Sequence, residues 1–252
     1  MSTGNGRVVE HASGDVTVGR NGRVVVVTID RPSKRNALTQ EMYERLADAL
    51  VQADADLDVG AVVLTGVGDA FTAGNDLADF MAGSSLDQTH RFLEAISTVH
   101  VPLVAAVNGL AIGVGLTLLL HCDLVFVEPS AQLSAPFVAL GLVPEAASSL
   151  LLPRIIGERR ASELILTGRR LSGAEAAEWG LANATASPVL PTALEAAERI
   201  AAQPSHAARA SKALLRSTEQ TVPGRMAEES AAFAAALKGD EFAAVMAARN
   251  AR

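Results

Sequence analysis

Three pieces of the chain carry residue types that could do chemistry together. Two are glycine-rich loops, Phe71-Thr72-Ala73-Gly74-Asn75-Asp76-Leu77 and Asn108-Gly109-Leu110-Ala111-Ile112-Gly113-Val114-Gly115. Glycine lets backbone approach a ligand closely, and free N–H groups at a helix start attract an oxyanion. Two such loops could aim two N–H donors at one oxygen, which stabilises an enolate or a tetrahedral oxyanion. The same pattern also serves as a plain packing turn before a helix. The second loop lacks the Gly-Lys-Ser/Thr ending of a phosphate loop, and its Gly-x-Gly lacks the rest of a dinucleotide fingerprint. The third piece is Glu145, which follows Pro144 inside the apolar stretch Leu140 to Leu150. It reads two ways: as a first-turn acid satisfied by a helix dipole, or as a desolvated general base with a raised pKa. Spacing does not separate them.

The other ionisable residues near these loops read as structural. Asp76 and Asp79 suit a helix start. In His121-Cys122-Asp123, adjacent side chains diverge, which favours a buried Cys and a structural Asp over a catalytic or metal cluster. There is no Gly-x-Ser-x-Gly elbow and no evident pair of glycosidase carboxylates.

Composition removes whole classes. The net charge of −7 argues against a nucleic-acid binder, which would show a basic face. One Cys excludes a disulfide framework or a cysteine zinc site and points to a reducing, cytoplasmic setting. With 49% hydrophobic and 19% charged residues, most of the chain folds. Residues 1–14 are polar and glycine-rich, read as a frayed tail without the apolar core of a signal peptide. Val101 to Val127 is nearly uncharged, but Pro102, Asn108, His121, Asp123 and three glycines interrupt it. It reads as strand, turn, buried helix and strand, with no membrane partner.

The positioning elements follow in order. Asp15–Gly19 and Arg23–Ile29 flank Asn21-Gly22, a hairpin signal. Thr39 to Asp54 has a helical stripe at Met42, Leu46, Ala49 and Leu50, with Thr39 as N-cap. Strands are expected at 61–65, 103–107 and 124–127, helices at 86–99 and 114–121, and loops at 66–76 and 108–115. Strand, helix, strand at this spacing implies right-handed crossovers and a largely parallel sheet. After about Pro153 only Ala-rich helical patterns are expected: 158–167, 173–179, 190–202, 204–217, 223–238 and 240–249. Small side chains let such helices pack closely or against another subunit.

At these residues the chain resembles the crotonase, or enoyl-CoA hydratase/isomerase, superfamily over about Asp15 to Arg216. Arg31-Pro32 with Asn36-Ala37-Leu38 resembles its first signature, and Phe71 to Leu77 its first glycine loop. Pro102 to Gly109 with Cys122-Asp123 resembles its central block. Leu171 to Ala176 and Trp179-Gly180-Leu181 resemble its later helix-turn signature. Four pieces in order are specific.

The resemblance implies an α/β fold of repeated ββα turns in a spiral, with a core at 15–190 and a helical trimerisation region at 191–252. It implies an acyl-CoA thioester substrate, assembly as a trimer or hexamer, and no separate cofactor or metal, since CoA belongs to the substrate. The oxyanion-hole donors would be the backbone N–H groups of Asn75 and Val114. The family usually has Gly at the second position, but a backbone donor tolerates Val. Ala73, Asp76, Leu77, Phe137 and Leu142 would contact the substrate. Hydratases carry two glutamates, and Thr117 and Phe137 occupy those positions here. Glu145 instead matches the single catalytic glutamate of Δ3-Δ2-enoyl-CoA isomerases of the peroxisomal type. The implied activity is a shift of a 3-enoyl-CoA double bond to 2-enoyl-CoA with one Glu as proton shuttle. A hydratase-like or other crotonase-family acyl-CoA enzyme, a non-catalytic acyl-CoA-binding homologue and a purely structural trimer are the alternatives.

Overall fold

The computed structural model describes residues 11–12, 15–81, 85–217 and 221–250. The expected tail at 1–14 lies mostly outside them, but its His11–Ala12 segment (β1) pairs antiparallel with the next strand.

The main sheet grows from apolar runs too short for helices. Val16–Asn21 (β2) and Val24–Ile29 (β3) form the expected hairpin, paired from Val16↔Ile29 to Asn21↔Val24. Its turn residues are Gly22 and Arg23, one position later than Asn21-Gly22, with Gly22 at φ 57°. Ala61–Gly66 (β4), Leu103–Val107 (β6) and Leu124–Val127 (β8) then add in parallel, and Ala184–Thr185 (β11) completes the order β1-β2-β3-β4-β6-β8-β11.

Strand alternation divides each central strand between two covered faces, so the strands read as continuous apolar runs. Val62, Leu64, Leu103, Ala105, Val107, Val125 and Val127 enter the main core. That core also holds Met42, Tyr43, Leu46 and Leu50 of Gln40–Ala55 (α1) and Phe92 and Ile96 of Asp87–Thr98 (α3). Fully buried groups such as Leu103 and Ile96 each contribute about 1.5–3 kcal/mol. Thr39 caps α1 by accepting the Met42 amide at 3.3 Å.

Ala61, Val63, Val104, Ala106 and Phe126 face the other way, onto Val189–Ala201 (α8). Its stripe of Val189, Ala193, Ala196, Ala197 and Ala201 is short enough for close contact with the sheet. Ala201 packs against Gly60, where an added Cβ would meet the Ala201 Cα at 2.6 Å. The expected boundary between 190 and 191 therefore falls inside a helix of the sheet core.

The second strand of each ββα turn that the resemblance implies lies in a second sheet, which the local sequence pattern does not mark. Ala70–Thr72 (β5), Leu110–Ile112 (β7), Gln132–Ser134 (β9) and Leu171–Ser172 (β10) pair in the order β10-β9-β7-β5. The stretches 66–76 and 108–115 are thus not simple loops, and strands do occur after Pro153, at β10 and β11. Two or three residues are too few to show a period of two.

The remaining helices are Leu77–Met81 (α2), Val114–Thr117 (α4), Ser148–Ile156 (α5), Glu158–Thr167 (α6), Gly173–Glu178 (α7), Ser205–Arg216 (α9), Val222–Leu237 (α10) and Asp240–Asn250 (α11). The helix expected at 114–121 is one α-turn followed by a 3-10 turn, Leu118–His121. A capping box starts α7: Ser172 accepts the Glu175 amide and Glu175 accepts the Ser172 amide. Among the described residues, no helix is long and apolar enough to cross a membrane.

Candidate active site

The first glycine loop is held by the segment Arg31 to Leu38. Asn36, fully buried, donates from Nδ2 to the carbonyls of Ala70 (2.6 Å) and Val67 (3.0 Å), while its Oδ1 accepts the Arg31 amide (2.9 Å). Thr72 Oγ1 donates to the Asn36 carbonyl at 2.7 Å. The Leu38 amide donates to Gly74 O and the Asp76 amide to Leu38 O, both at 2.8 Å. This single parallel bridge straddles Asn75 and leaves the Asn75 N–H outside the ladder.

The second loop packs backbone against the first. At Gly109 a Cβ would lie 1.9 Å from Asp69 O, so only glycine fits between the strands. Gly113, at φ 58°, precedes α4 and donates to Ser134 O at 2.9 Å. Val114 is the first residue of α4, so its N–H has no acceptor within the helix.

Both loops open onto one cavity of about 220 Å³. Ala73, Gly74, Asn75 and Leu77 form one side and Ile112, Gly113 and Val114 another; Pro136, Phe137, Leu140 and Leu142 close it. The sequence-expected residues Asn75, Val114, Ala73, Leu77, Phe137 and Leu142 are thus brought together around an apolar space. Asp76 is not in that lining. Its Oδ2 accepts from Arg31 Nη1 at 2.6 Å, and its Oδ1 takes the amides of Ala78 (2.9 Å) and Asp79 (3.3 Å). The Arg31 guanidinium beside it holds the Asp76 carboxyl below the usual range. Asp76 therefore fastens the loop and starts α2.

Glu145, half-buried, is also outside that lining; Thr117 Oγ1 donates to its Oε1 at 3.3 Å. Burial raises its pKa; the Thr117 hydrogen bond, and then the charge of His90 on α3, act in the opposite sense. Tyr43 bridges the two halves. Its hydroxyl donates to Asn75 Oδ1, and burial, then the Glu145 charge, push its pKa well above the ordinary phenol value. A carboxylate in this setting can take and return a proton, and the two amides can hold a developing oxyanion.

Residues 19–248 match the family model described as Enoyl-CoA hydratase/isomerase. The chain belongs to the enoyl-CoA hydratase/isomerase family. It is 39% identical over 201 residues to a probable enoyl-CoA hydratase of Mycobacterium tuberculosis, covering 77% of this chain and 78% of that protein. Enoyl-CoA delta isomerase 2 of Rattus norvegicus is 37% identical over 175 residues, or 66% of this chain and 44% of that one. A solved enoyl-CoA hydratase/carnithine racemase from Magnetospirillum magneticum superposes with a TM-score of 0.90 at 39% identity, covering 96% of this chain and 98% of that one.

Not every polar group around this crotonase-fold site was marked by the sequence. Tyr43 sits in a helix read through its apolar stripe, and His90 carries no motif. The His121-Cys122-Asp123 triplet does diverge. Asp123 accepts from Lys212 Nζ (2.9 Å) and Arg216 Nη2 (3.0 Å), and burial pushes the Cys122 thiol up to about 12. Among the described residues, no group of three His, Cys, Asp or Glu is placed to hold a metal ion.

Proposed function

We propose that this enzyme is a Δ3-Δ2-enoyl-CoA isomerase. One observation carries the reading: Glu145 is a carboxylate of raised pKa whose partner is the Thr117 hydroxyl. The two positions where a hydratase carries glutamates are Thr117 and Phe137, so activation of water by a carboxylate pair is not supported. A single base suffices for a double-bond shift. Glu145 takes a proton from the α-carbon, and the C–H electron pair moves into the thioester as an enolate. The Asn75 and Val114 N–H groups hold the oxyanion. The enolate electrons then form the α,β double bond, the β,γ pair takes the proton back from Glu145 at the γ-carbon, and no atom is gained or lost. The apolar lining at Leu77, Phe137 and Leu142 suits an acyl chain. Similarity to the rat delta isomerase supports the reading.

The test offers 3-enoyl-CoA and 2-enoyl-CoA in parallel and identifies the products. Isomerisation should exceed hydration by about a hundredfold or more, the scale of one lost acid/base group. Hydration at about 10 per second, a typical enzyme rate, would overturn the isomerase reading in favour of a hydratase-like enzyme.

We also propose that the chain self-associates through α9, α10 and α11. These helices leave Leu215, Val222, Met226 and Phe233 exposed, and broad apolar faces of this kind mark interfaces.

A further inference from the structure

Glu145 is followed by two alanines in the left-handed region, Ala146 at φ 52° and Ala147 at φ 53°. Residues with a Cβ hold that conformation only where their surroundings impose it. The Glu145 carbonyl is tied forward: it accepts the Ser148 amide at 2.9 Å and the Ser148 hydroxyl at 2.6 Å. The Ala146 carbonyl is tied differently, to His121 Nε2 at 2.9 Å. A carbonyl only accepts, so Nε2 carries the proton.

His121 closes the 3-10 turn that directly follows Thr117. One short stretch of chain thus holds Glu145 at two points. Thr117 grips the carboxylate, and His121 grips the backbone just beyond it. His121 is itself fixed. It is buried, and its carbonyl accepts from Arg216 of α9. Arg216 and Lys212 both converge on Asp123, and Lys212 Nζ also donates to Val101 O at 2.7 Å. Burial lowers the imidazole pKa; the Ala146 hydrogen bond acts in the opposite sense, the charges of Arg216 and Lys212 add to the lowering, and the net shift favours the neutral ring at pH 7.

We infer that His121 is a positioning residue for Glu145: its hydrogen bond to the Ala146 carbonyl locks the left-handed pair and so aims the carboxylate. The inference rests on the isomerase reading for what Glu145 does, but the tie itself does not depend on the reaction.

The test compares His121→Leu, His121→Gln and His121→Asn in the full-length enzyme. Glutamine can set an amide donor near the Nε2 position, and asparagine falls one bond short. With 3-enoyl-CoA, His121→Leu should lower kcat about tenfold or more while KM stays within about threefold, because misaiming a catalytic group is a transition-state loss. His121→Gln should recover most of that kcat and His121→Asn should not, a ranking that stands even if the leucine variant does not fold. Hydrogen exchange at the Ser148 amide reads the tie without turnover and should quicken in the leucine and asparagine variants only. Unchanged exchange, or equal kcat in the glutamine and asparagine variants, overturns the inference. Glu145→Gln run alongside separates the two failures. If it keeps full turnover, the isomerase reading falls, while the Ser148 exchange still decides whether His121 holds the loop.

Discussion

Thr117 Oγ1 donates to Glu145 Oε1 across 3.3 Å, which puts a neutral hydroxyl against the carboxylate. The contact favours the ionised form of Glu145, against the burial that raises its pKa. Thr117→Val removes the hydroxyl and keeps the shape of a fully buried residue. The Glu145 pKa should then rise further, and the acidic limb of kcat/KM should move to higher pH. A long hydrogen bond worth about 1 kcal/mol moves it by about 0.7 pH unit. Turnover at pH 8 should stay near the unmodified rate. A limb that stays put, or moves down, would show that Thr117 does not govern the base.

Glu145→Gln should act oppositely on activity and stability. Turnover should fall about a hundredfold or more with the fold and acyl-CoA binding intact, as expected when a general base is lost. Because burial raises the folded-state pKa of Glu145, holding it ionised costs stability above its unfolded pKa, and the uncharged form carries no such cost. The glutamine variant should therefore melt higher than the unmodified enzyme at pH 7. The gap should shrink as pH falls through the folded value and close below the unfolded one, where both side chains are neutral. Each kcal/mol corresponds to about 2–4 °C in a chain of this size. Calorimetry from pH 4 to pH 8 measures it, and a pH-independent gap would contradict the desolvation account.

What the sequence disclosed and what it hid divide along physical lines. Central strands such as Leu103–Val107, and long helices such as Gln40–Ala55, announce themselves because burial on one or both faces imposes a pattern over many residues. The second sheet does not, because its strands of two or three residues are specified by contacts from elsewhere. Asn36 bonded to Ala70 and Gly109 pressed on Asp69 are examples. The glycines of the two loops, Gly74 and Gly113, were legible because backbone chemistry demands them there, and Glu145 stood out as a lone carboxylate among apolar residues while local spacing left its role open. The supports of the site were not legible. Tyr43 lies 32 residues from Asn75 and His121 lies 25 residues from Ala146, and no local spacing encodes either hydrogen bond.

Gly74 tests the junction of the two loops. It sits at φ 92°, and an added Cβ would lie 2.8 Å from Ile112 O, two residues before Val114. Gly74→Ala must strain its own backbone, at about 1–3 kcal/mol, and push the loops apart. A displacement near 1 Å between the Asn75 and Val114 amides should lower kcat about a hundredfold. Steady-state kinetics and a melting curve measure the two effects. Wild-type kcat in a folded variant would mean that the spacing of these amides does not set the rate.

The C-terminal helices supply the last prediction. Leu215 is 86% exposed and Phe233 68%, beside Val222 and Met226 on the same helices, in a chain whose other long apolar residues mostly lie in two buried clusters. Leaving such groups in water forgoes about 1.5–3 kcal/mol for each large side chain, which closed symmetric assembly recovers. Multi-angle light scattering should therefore give three times, or six times, the 26.1 kDa chain mass. Phe233→Asp places a charge in that surface and should shift the mass toward the single chain. The buried core of the sheet should still melt cooperatively, because α8 rather than α10 covers it. A single-chain mass for the unmodified protein at micromolar concentration would remove the assembly and leave the chemistry at Glu145 to be judged by its own tests.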